Sequence, residues 1–276
     1  MSLTVTMQNP KMSVIIPCYN HGVYVQDAID SVEISSYKEY EIIIVNDGST
    51  DEFTVEKMNE LSKCGYHVVN QPNQGLARAR NNGIAVALGE YIMPLDADNR
   101  IRSMYIEKAV DVLEHQSDIG VVYGKSAYFG EINSGCFSGE PFDALKLYRE
   151  NYIDALAVFR RSVWEEVGGY DPNMPMMGIE DWDFWISLYE NGVGFHFIDE
   201  ILFDYRVVQG SMLSSLTRSE KMLEVVQYLA IKHGVAYRDK FVEVAAELNY
   251  AKSRPLAFFF KYKFPGLYKA LTNVRS

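Results

Sequence analysis

Between Met12 and Leu95, four short runs rich in β-branched and apolar residues alternate with segments whose apolar residues recur at helical spacing. The runs are Met12-Ser13-Val14-Ile15-Ile16-Pro17, Glu41-Ile42-Ile43-Ile44-Val45, Tyr66 to Val69, and Glu90 to Leu95. Short, continuously apolar runs of this kind are the pattern of strands buried on both faces. Between them, residues 23–35 place Val25, Ala28, Ile29 and Val32 on one helical face, a second helix runs to about Cys64, and a third spans Gln74 to Leu88. Strands separated by single helices pair in parallel through right-handed crossovers, so this half predicts a parallel βαβ sheet covered on both faces.

The second half is less regular. A helix over 103–116, a strand over 119–123, a Gly- and Ser-containing stretch over 130–141 and a strand-like Ala155-Leu156-Ala157-Val158-Phe159 come first. An aromatic-rich helix from Glu180 to Asn191 and short strands Val193–Ile198 and Ile201–Tyr205 follow. The expected fold class is therefore α/β, a Rossmann-like mixed and mainly parallel sheet flanked by helices, with long functional loops such as 125–150 and 170–180. After about Ser214 the pattern is helical to the end, with breaks at Pro255 and Pro265. A loose arm over 1–10, a body over 11–214 and a helical extension over 215–276 are the expected parts.

With 276 residues of which 48% are hydrophobic, the chain can bury a full core. Its net charge of -11 argues against general nucleic-acid binding, which relies on clustered Lys and Arg. That charge is uneven: the first 250 residues carry -17, and the last 26 carry +6 from Lys252, Arg254, Lys261, Lys263, Lys269 and Arg275. No run approaches the roughly 18 to 20 apolar residues of a membrane span, and Met1-Ser2-Leu3-Thr4-Val5 lacks the basic start of a signal peptide. Cys18, Cys64 and Cys136 are odd in number and without Cys-x-x-Cys spacing, so neither a disulfide framework nor a zinc site is indicated. A cytoplasmic location is expected. The interleaved aromatics and lysines of Phe258-Phe259-Phe260-Lys261-Tyr262-Lys263-Phe264 suit either peripheral contact with an anionic membrane face or a helix that packs its rings and keeps its lysines wet.

Four places carry candidate chemistry. Asp96 and Asp98, at the end of the fourth strand, put two hard oxygen ligands at the carboxyl edge of the sheet, where such folds bind ligands and a divalent cation could bridge to a diphosphate. Pro17-Cys18-Tyr19-Asn20 and Asn46-Asp47-Gly48-Ser49 close the first two strands side by side, so backbone amides, Tyr19 and the Asn46 and Asp47 side chains could line a nucleobase slot, while Ser49 or Asp51 could cap the next helix. Gly75 opens the third helix, whose amino end favours phosphate. Arg78 shares a polar, solvated face with Gln74, Asn81 and Asn82, whereas Arg80 lies with Ala77, Gly83 and Ile84, points inward and requires an anionic partner. At Gly178-Ile179-Glu180-Asp181-Trp182-Asp183-Phe184-Trp185, three acids could simply complement a helix dipole; alternatively, the aromatics desolvate Asp181 or Glu180 and raise its pKa, as suits a general base.

The order Val14-Ile15-Ile16-Pro17-x-Tyr19-Asn20, Val45-Asn46-Asp47-Gly48-Ser49-Thr50-Asp51, Asn73-x-Gly75 with Ala79-Arg80-Asn81-x-Gly83, Asp96-x-Asp98, Gly168-Gly169-Tyr170-Asp171 and Glu180-Asp181-x-Asp183 resembles the family 2 glycosyltransferases of GT-A fold over about residues 12–212. The resemblance implies inverting transfer of a sugar from a nucleotide-diphosphate sugar, with a UDP-sugar favoured, to a hydroxyl of a saccharide or lipid-linked acceptor in cell-surface polysaccharide or glycan synthesis. It implies a nucleotide-binding half over 11–100 and an acceptor-binding half over 101–214. Carried over residue by residue, Pro17, Tyr19 and Asn20 frame the nucleoside, Asp47 contacts the base, and Gly75, Arg80 and Arg206 lie by base or phosphate. Asp96 is on the ribose side, Asp98 binds Mn²⁺ or Mg²⁺, and Asp181, the second acid of the Glu180-Asp181 pair, is the base.

Two positions depart from the pattern: Asn46 stands where many relatives have a second Asp, and Gln209 where a His often lies near the metal. The Gln-x-x-Arg-Trp signature of processive synthases is absent after Asp181, favouring addition of single sugars. A nucleotidyltransferase would begin with a Gly-rich basic loop where this chain has Cys18-Tyr19-Asn20-His21-Gly22. A dehydrogenase would need Gly-x-Gly-x-x-Gly after the first strand. A noncatalytic carbohydrate-binding relative would lack Asp98 or Asp181, and both are present.

Overall fold

The computed structural model describes residues 10–136, 139–208 and 218–265. They divide into two compact units, one up to Tyr228 and one from Leu229 onward. The N-terminal arm, the expected boundary near 214 and Gln209 lie outside or at the limits of the described residues.

The first unit begins as the sequence predicts. Strands β1 (Met12–Cys18), β2 (Tyr40–Asp47), β3 (His67–Gln71) and β4 (Tyr91–Pro94) alternate with helices α1 (Gly22–Glu33), α2 (Glu52–Lys63) and α3 (Leu76–Ala85). β1 pairs in parallel with β2 on one side and β4 on the other, and β3 pairs in parallel with β2. All seven residues of β1 are buried, because helices cover both of its faces. Val14 and Ile16 face a core shared with Val25, Ile29 and Val32 of α1. On the opposite face α3 approaches so closely that a Cβ at Gly83 would stand 2.5 Å from Ile15 Cγ2, which accounts for a glycine inside that helix.

The chain continues through β5 (Arg100–Ile101), α4 (Tyr105–His115), β6 (Ile119–Gly130), α5 (Ala144–Leu147), β7 (Val158–Arg160), α6 (Arg161–Val167), α7 (Glu180–Glu190) and β8 (Gly194–Val207). The completed sheet has the order β3-β2-β1-β4-β7-β6-β8-β5, with β7 antiparallel to both β4 and β6. From β1 the chain adds β2 and β3 on one side and then returns to place β4 on the other. The carboxyl ends of β1 and β4 therefore flank the switch point where open α/β sheets form their ligand crevice.

Three expectations are corrected here. The two short strands over 193–205 are one strand, β8, which runs through the polar Asp199-Glu200 step because Lys125 pairs with Asp199 and Lys108 with Glu200, while register shifts against β6 absorb the irregularity. Residues 125–130, expected in a loop, extend β6. The strand-like run at Ala155 begins only at Val158, because Asp154 turns the chain: its carboxylate accepts from Leu156 N at 2.9 Å and its carbonyl from Ala157 N at 3.1 Å.

Helix α8 (Arg218–Lys232) contains the division between the units. The second unit carries α9 (Gly234–Ser253) and α10 (Pro255–Lys263), joined by a 3.6 Å pair between Lys261 and Glu247. Among the described residues no helix is long and apolar enough to cross a membrane.

Candidate active site

The register Cys18↔Asn46 sets the ends of β1 and β2 side by side, as expected. Asn20 occupies the left-handed region at φ 55°, and its side chain is spent on the neighbouring loop. Its Oδ1 accepts from Thr50 N at 2.8 Å and Asp51 N at 3.2 Å, and its Nδ2 donates to Thr50 Oγ1 at 3.1 Å. Asp51, one of the two residues the sequence offers as a cap, caps α2 by accepting from Thr54 N. Tyr19, next to Pro17 at the end of β1, leaves its ring 44% exposed at the crevice rim.

Asp47 is buried and organises the approach to α3. It accepts from Gln71 Nε2 at 2.7 Å, Gln74 N at 2.8 Å and Gly75 N at 2.9 Å. Gly75 needs its φ of 87° to turn into the helix, and a Cβ there would meet the Met177 sulfur at 2.8 Å. A carboxylate that fixes two backbone amides at the amino end of a helix defines the shape of that wall.

Arg80 projects from α3 into the interior, 2% exposed, and finds the anions its position demands. Its Nη2 donates to Asp96 Oδ1 at 2.7 Å, its Nη1 pairs with Glu180, and its guanidinium lies 5.6 Å from the centre of the Tyr170 ring. Burial disfavours its charge, but Asp96 and then Glu180 more than offset this and hold it protonated. Glu180 also accepts from Gly178 N at 2.8 Å, so both of its oxygens are engaged and it serves as an anchor for Arg80.

Asp181, the next residue, is in a different state. It is almost wholly buried, and that burial, reinforced by Glu180, raises its pKa to about 8. Its Oδ1 accepts from Trp182 N at 2.9 Å and Asn151 Nδ2 at 3.0 Å. Both bonds fall on Oδ1, and none among the described residues falls on Oδ2.

Asp98 is half-buried at the end of β4. Burial and the neighbouring Asp96 raise its pKa, while His21 and Arg206 oppose the shift. Arg206 reaches this loop from behind: Nε donates to the Asp98 carbonyl at 2.8 Å, Nη2 to Asp27 Oδ2 at 2.6 Å, and its backbone N to Asn99 Oδ1 at 2.9 Å. Its guanidinium is sandwiched over Tyr24 and Phe129, so it stiffens the Asp-x-Asp turn. Among the described residues no group of three or more His, Cys, Asp or Glu is gathered to hold a metal. Two carboxylates, one of them held in a destabilised charged form, still match the oxygen donors a hard divalent cation takes when substrate phosphates complete its shell.

Two contributors escaped sequence reading. Asn81 does not belong to a solvated face: its Nδ2 donates to Tyr170 O at 2.7 Å, and its Oδ1 accepts from Tyr170 N at 2.9 Å and Trp164 Nε1 at 3.0 Å, tying α3 to the Gly168-Gly169-Tyr170 turn. Asp154 is buried beneath the site with its pKa raised to about 7, chiefly by burial. Its only signal was an acid in an apolar run.

The sheet order and the crevice at its switch point define the GT-A class of fold. Over 92% of this chain and 77% of that one, the structure matches S. aureus TarS 1-349 in complex with UDP-GlcNAc at TM-score 0.70 and 20% identity. It matches the mannosyltransferase PcManGT from Pyrobaculum calidifontis in complex with GDP-Man and Mn²⁺ at TM-score 0.57 and 16% identity, over 97% and 88% of the two chains. The glycosyl transferase family 2 model matches residues 13–168, and the chain belongs to that family. It is 30% identical to an uncharacterized glycosyltransferase of Rickettsia felis and 27% identical to the hyaluronan synthase of Pasteurella multocida, covering 74% of this chain in each case. The chain spans 34% and 21% of the lengths of those two relatives.

Proposed function

We propose that the chain is an inverting glycosyltransferase that moves a sugar from a nucleotide-diphosphate sugar to a hydroxyl of a saccharide or lipid-linked acceptor, in the making of a cell-surface polysaccharide or glycan. The observation that carries this reading is the buried Asp181, with one oxygen free and its pKa raised, joined through Glu180 and Arg80 to Asp96. Base and donor edge are thereby held as one unit. A UDP-sugar is favoured, as the family resemblance implies, and a UDP-GlcNAc complex stands among the proteins of the same fold, as does a GDP-Man complex.

In this reading the loops at Tyr19 and Asp47 receive the nucleoside, Asp96 lies on the ribose side, and Asp98 holds Mn²⁺ or Mg²⁺. When bound, the cation supplies positive charge against the departing diphosphate. Asp181 Oδ2 takes the acceptor hydroxyl proton as the acceptor oxygen bonds to the anomeric carbon; the bond from that carbon to the phosphate oxygen breaks, and the nucleoside diphosphate leaves with the electron pair. A single displacement inverts the configuration. The basic, aromatic end of the second unit, where Leu256, Phe259, Tyr262 and Phe264 are exposed, is proposed as a peripheral contact with the cytoplasmic membrane face.

The deciding experiment is a thermal-shift screen of nucleotide sugars with Mn²⁺, followed by an assay of nucleoside diphosphate release. At least one nucleotide sugar should stabilise the protein in a metal-dependent way, and Asp181→Asn should keep that shift while losing transfer. If no nucleoside diphosphate or nucleotide sugar moves the melting temperature, the reading fails.

A further inference from the structure

The loop between α5 and β7 carries a side chain that the reaction above leaves unexplained. Asn151 donates Nδ2 to Asp181 Oδ1 at 3.0 Å, yet its own Oδ1 is buried without a partner among the described residues. Burying an amide oxygen unsatisfied is costly, so the orientation needs a cause elsewhere. Turning the amide over would set its oxygen against a carboxylate oxygen of Asp181. The neighbouring acid therefore dictates which way the amide faces.

The loop is also anchored to the helix that carries Asp181. Trp182 Nε1 donates to Leu147 O at 2.6 Å on one side of Asn151, and Trp185 Nε1 donates to Ile153 O at 3.1 Å on the other. Tyr105 Oη adds a 2.9 Å bond to Leu156 O from α4. Two indoles of α7 thus grip the loop on either side of Asn151, and the amide cannot drift from the carboxylate without breaking one of them.

We infer that Asn151 is a positioning residue for Asp181: with the Trp182 amide it occupies Oδ1, so that Oδ2 alone meets the acceptor hydroxyl. This rests on the transfer reading. The charged and titratable groups facing Asp181 are Glu180 on its own helix, Arg80 from α3, Asp154 from the same loop as Asn151, and Tyr170. Glu180 and Asp154 resist ionisation, Arg80 supports it, and the Asn151 hydrogen bond supports it too. Without Asn151 the base would be less ionised and held at Oδ1 by the Trp182 amide alone.

The test follows the Asp181 carboxyl by carbon-13 NMR through a pH titration, its signal identified by its loss in Asp181→Asn, in the wild type, Asn151→Ala and the near-isosteric Asn151→Asp. The midpoint should rise by about 1 pH unit in Asn151→Ala and further in Asn151→Asp, where a second carboxylate faces the first. In the release assay, kcat near neutrality should fall about tenfold in Asn151→Ala with donor KM unchanged, and recover as pH rises. An unmoved midpoint in both variants, or wild-type kcat in Asn151→Ala, overturns the inference. Failure of the wild type to turn over any nucleotide sugar would instead sink the transfer reading, and the titration would still report on Asn151.

Discussion

Arg80 and Glu180, a hundred residues apart in the chain, form an ion pair in which both side chains are 2% exposed. The pair locks α3 to the start of α7, and Asp96 joins the same guanidinium at 2.7 Å. Removing one member of a buried pair leaves an uncompensated charge, so Arg80→Ala should destabilise the first unit by about 3–5 kcal/mol. Arg80→Met with Glu180→Gln should cost clearly less than the sum of the single changes, because the double variant does not leave the Glu180 charge buried alone, and only the more exposed Asp96 loses its partner. Urea midpoints at constant m-value check both; additive losses would show that the two residues do not act as a pair.

In the proposed transfer, with Asp181 as the base, its raised pKa sets the pH dependence. The base works ionised, and with a pKa of about 8 only a minority is ionised at neutrality. Turnover should therefore climb about tenfold per pH unit on the acid side and level off above about pH 8. The log kcat profile at saturating donor measures this. A profile already flat from pH 6 would show that another group takes the proton.

Much of this architecture was legible because its signals are local. The apolar runs of β1, β2 and β4 are strands buried on both faces, and their parallel order follows from the single helices between them. Arg80 read as inward-facing from its helical phase alone, and it is buried. What stayed hidden depends on tertiary pairing. Nothing near Asn81 in sequence announces its three bonds to Tyr170 and Trp164, and nothing near Arg206 announces that its guanidinium would hold the Asp98 carbonyl rather than lie open to a phosphate. Asn20, expected beside the nucleoside, spends its amide on Thr50 and Asp51 because a left-handed residue at the end of β1 aims it at the β2 loop. Ala155 to Ala157 read as strand since periodicity cannot register the turn that the Asp154 carboxylate closes.

That same Asp154 carries a stability prediction. Its pKa stands at about 7 in the folded chain against an ordinary 3.8, chiefly through burial. A carboxyl raised on folding stabilises the protonated native state, and this contribution is complete below pH 3.8 and lost as pH rises through about 7. Asp154→Asn keeps an oxygen for Leu156 N and never ionises. It should therefore raise the unfolding free energy at pH 8 by an amount on the order of 4 kcal/mol, seen as a higher melting temperature, and change it much less near pH 4.5. Equal effects at both pH values would show that ionisation of Asp154 is not the cause.

The second unit concentrates positive charge and exposed rings. From Leu229 to the last residue the sequence has nine Lys and Arg against three Asp and Glu, and Phe241, Leu248, Leu256 and Tyr262 are each at least half exposed. Deleting residues 255–276 should abolish sedimentation with vesicles containing phosphatidylglycerol, and raised salt should weaken the full chain's binding, as expected of an anionic surface met by lysines and aromatics. Unchanged vesicle binding after the deletion would end the membrane proposal.

Asp98 is the residue on which metal dependence should turn. Its carboxylate is held in a destabilised charged form by burial and by Asp96, so a divalent cation gains more there than at an ordinary surface acid. Asp98→Asn should remove the Mn²⁺-dependent part of the donor's thermal shift and leave the metal-free part, since the proposed nucleoside walls at Tyr19 and Asp47 are untouched; each tenfold loss of affinity appears as about 1.4 kcal/mol of lost stabilisation. Acid should weaken the metal-dependent shift over a higher pH range than a solvated aspartate would give, because the proton and the cation compete for the same oxygens. Arg206→Met separates carboxylate from scaffold. It keeps both acids, releases the Asp98 carbonyl and Asp27, and should loosen the turn enough to lower metal-dependent donor affinity without abolishing it. A full Mn²⁺-dependent shift in Asp98→Asn would move the metal away from this residue.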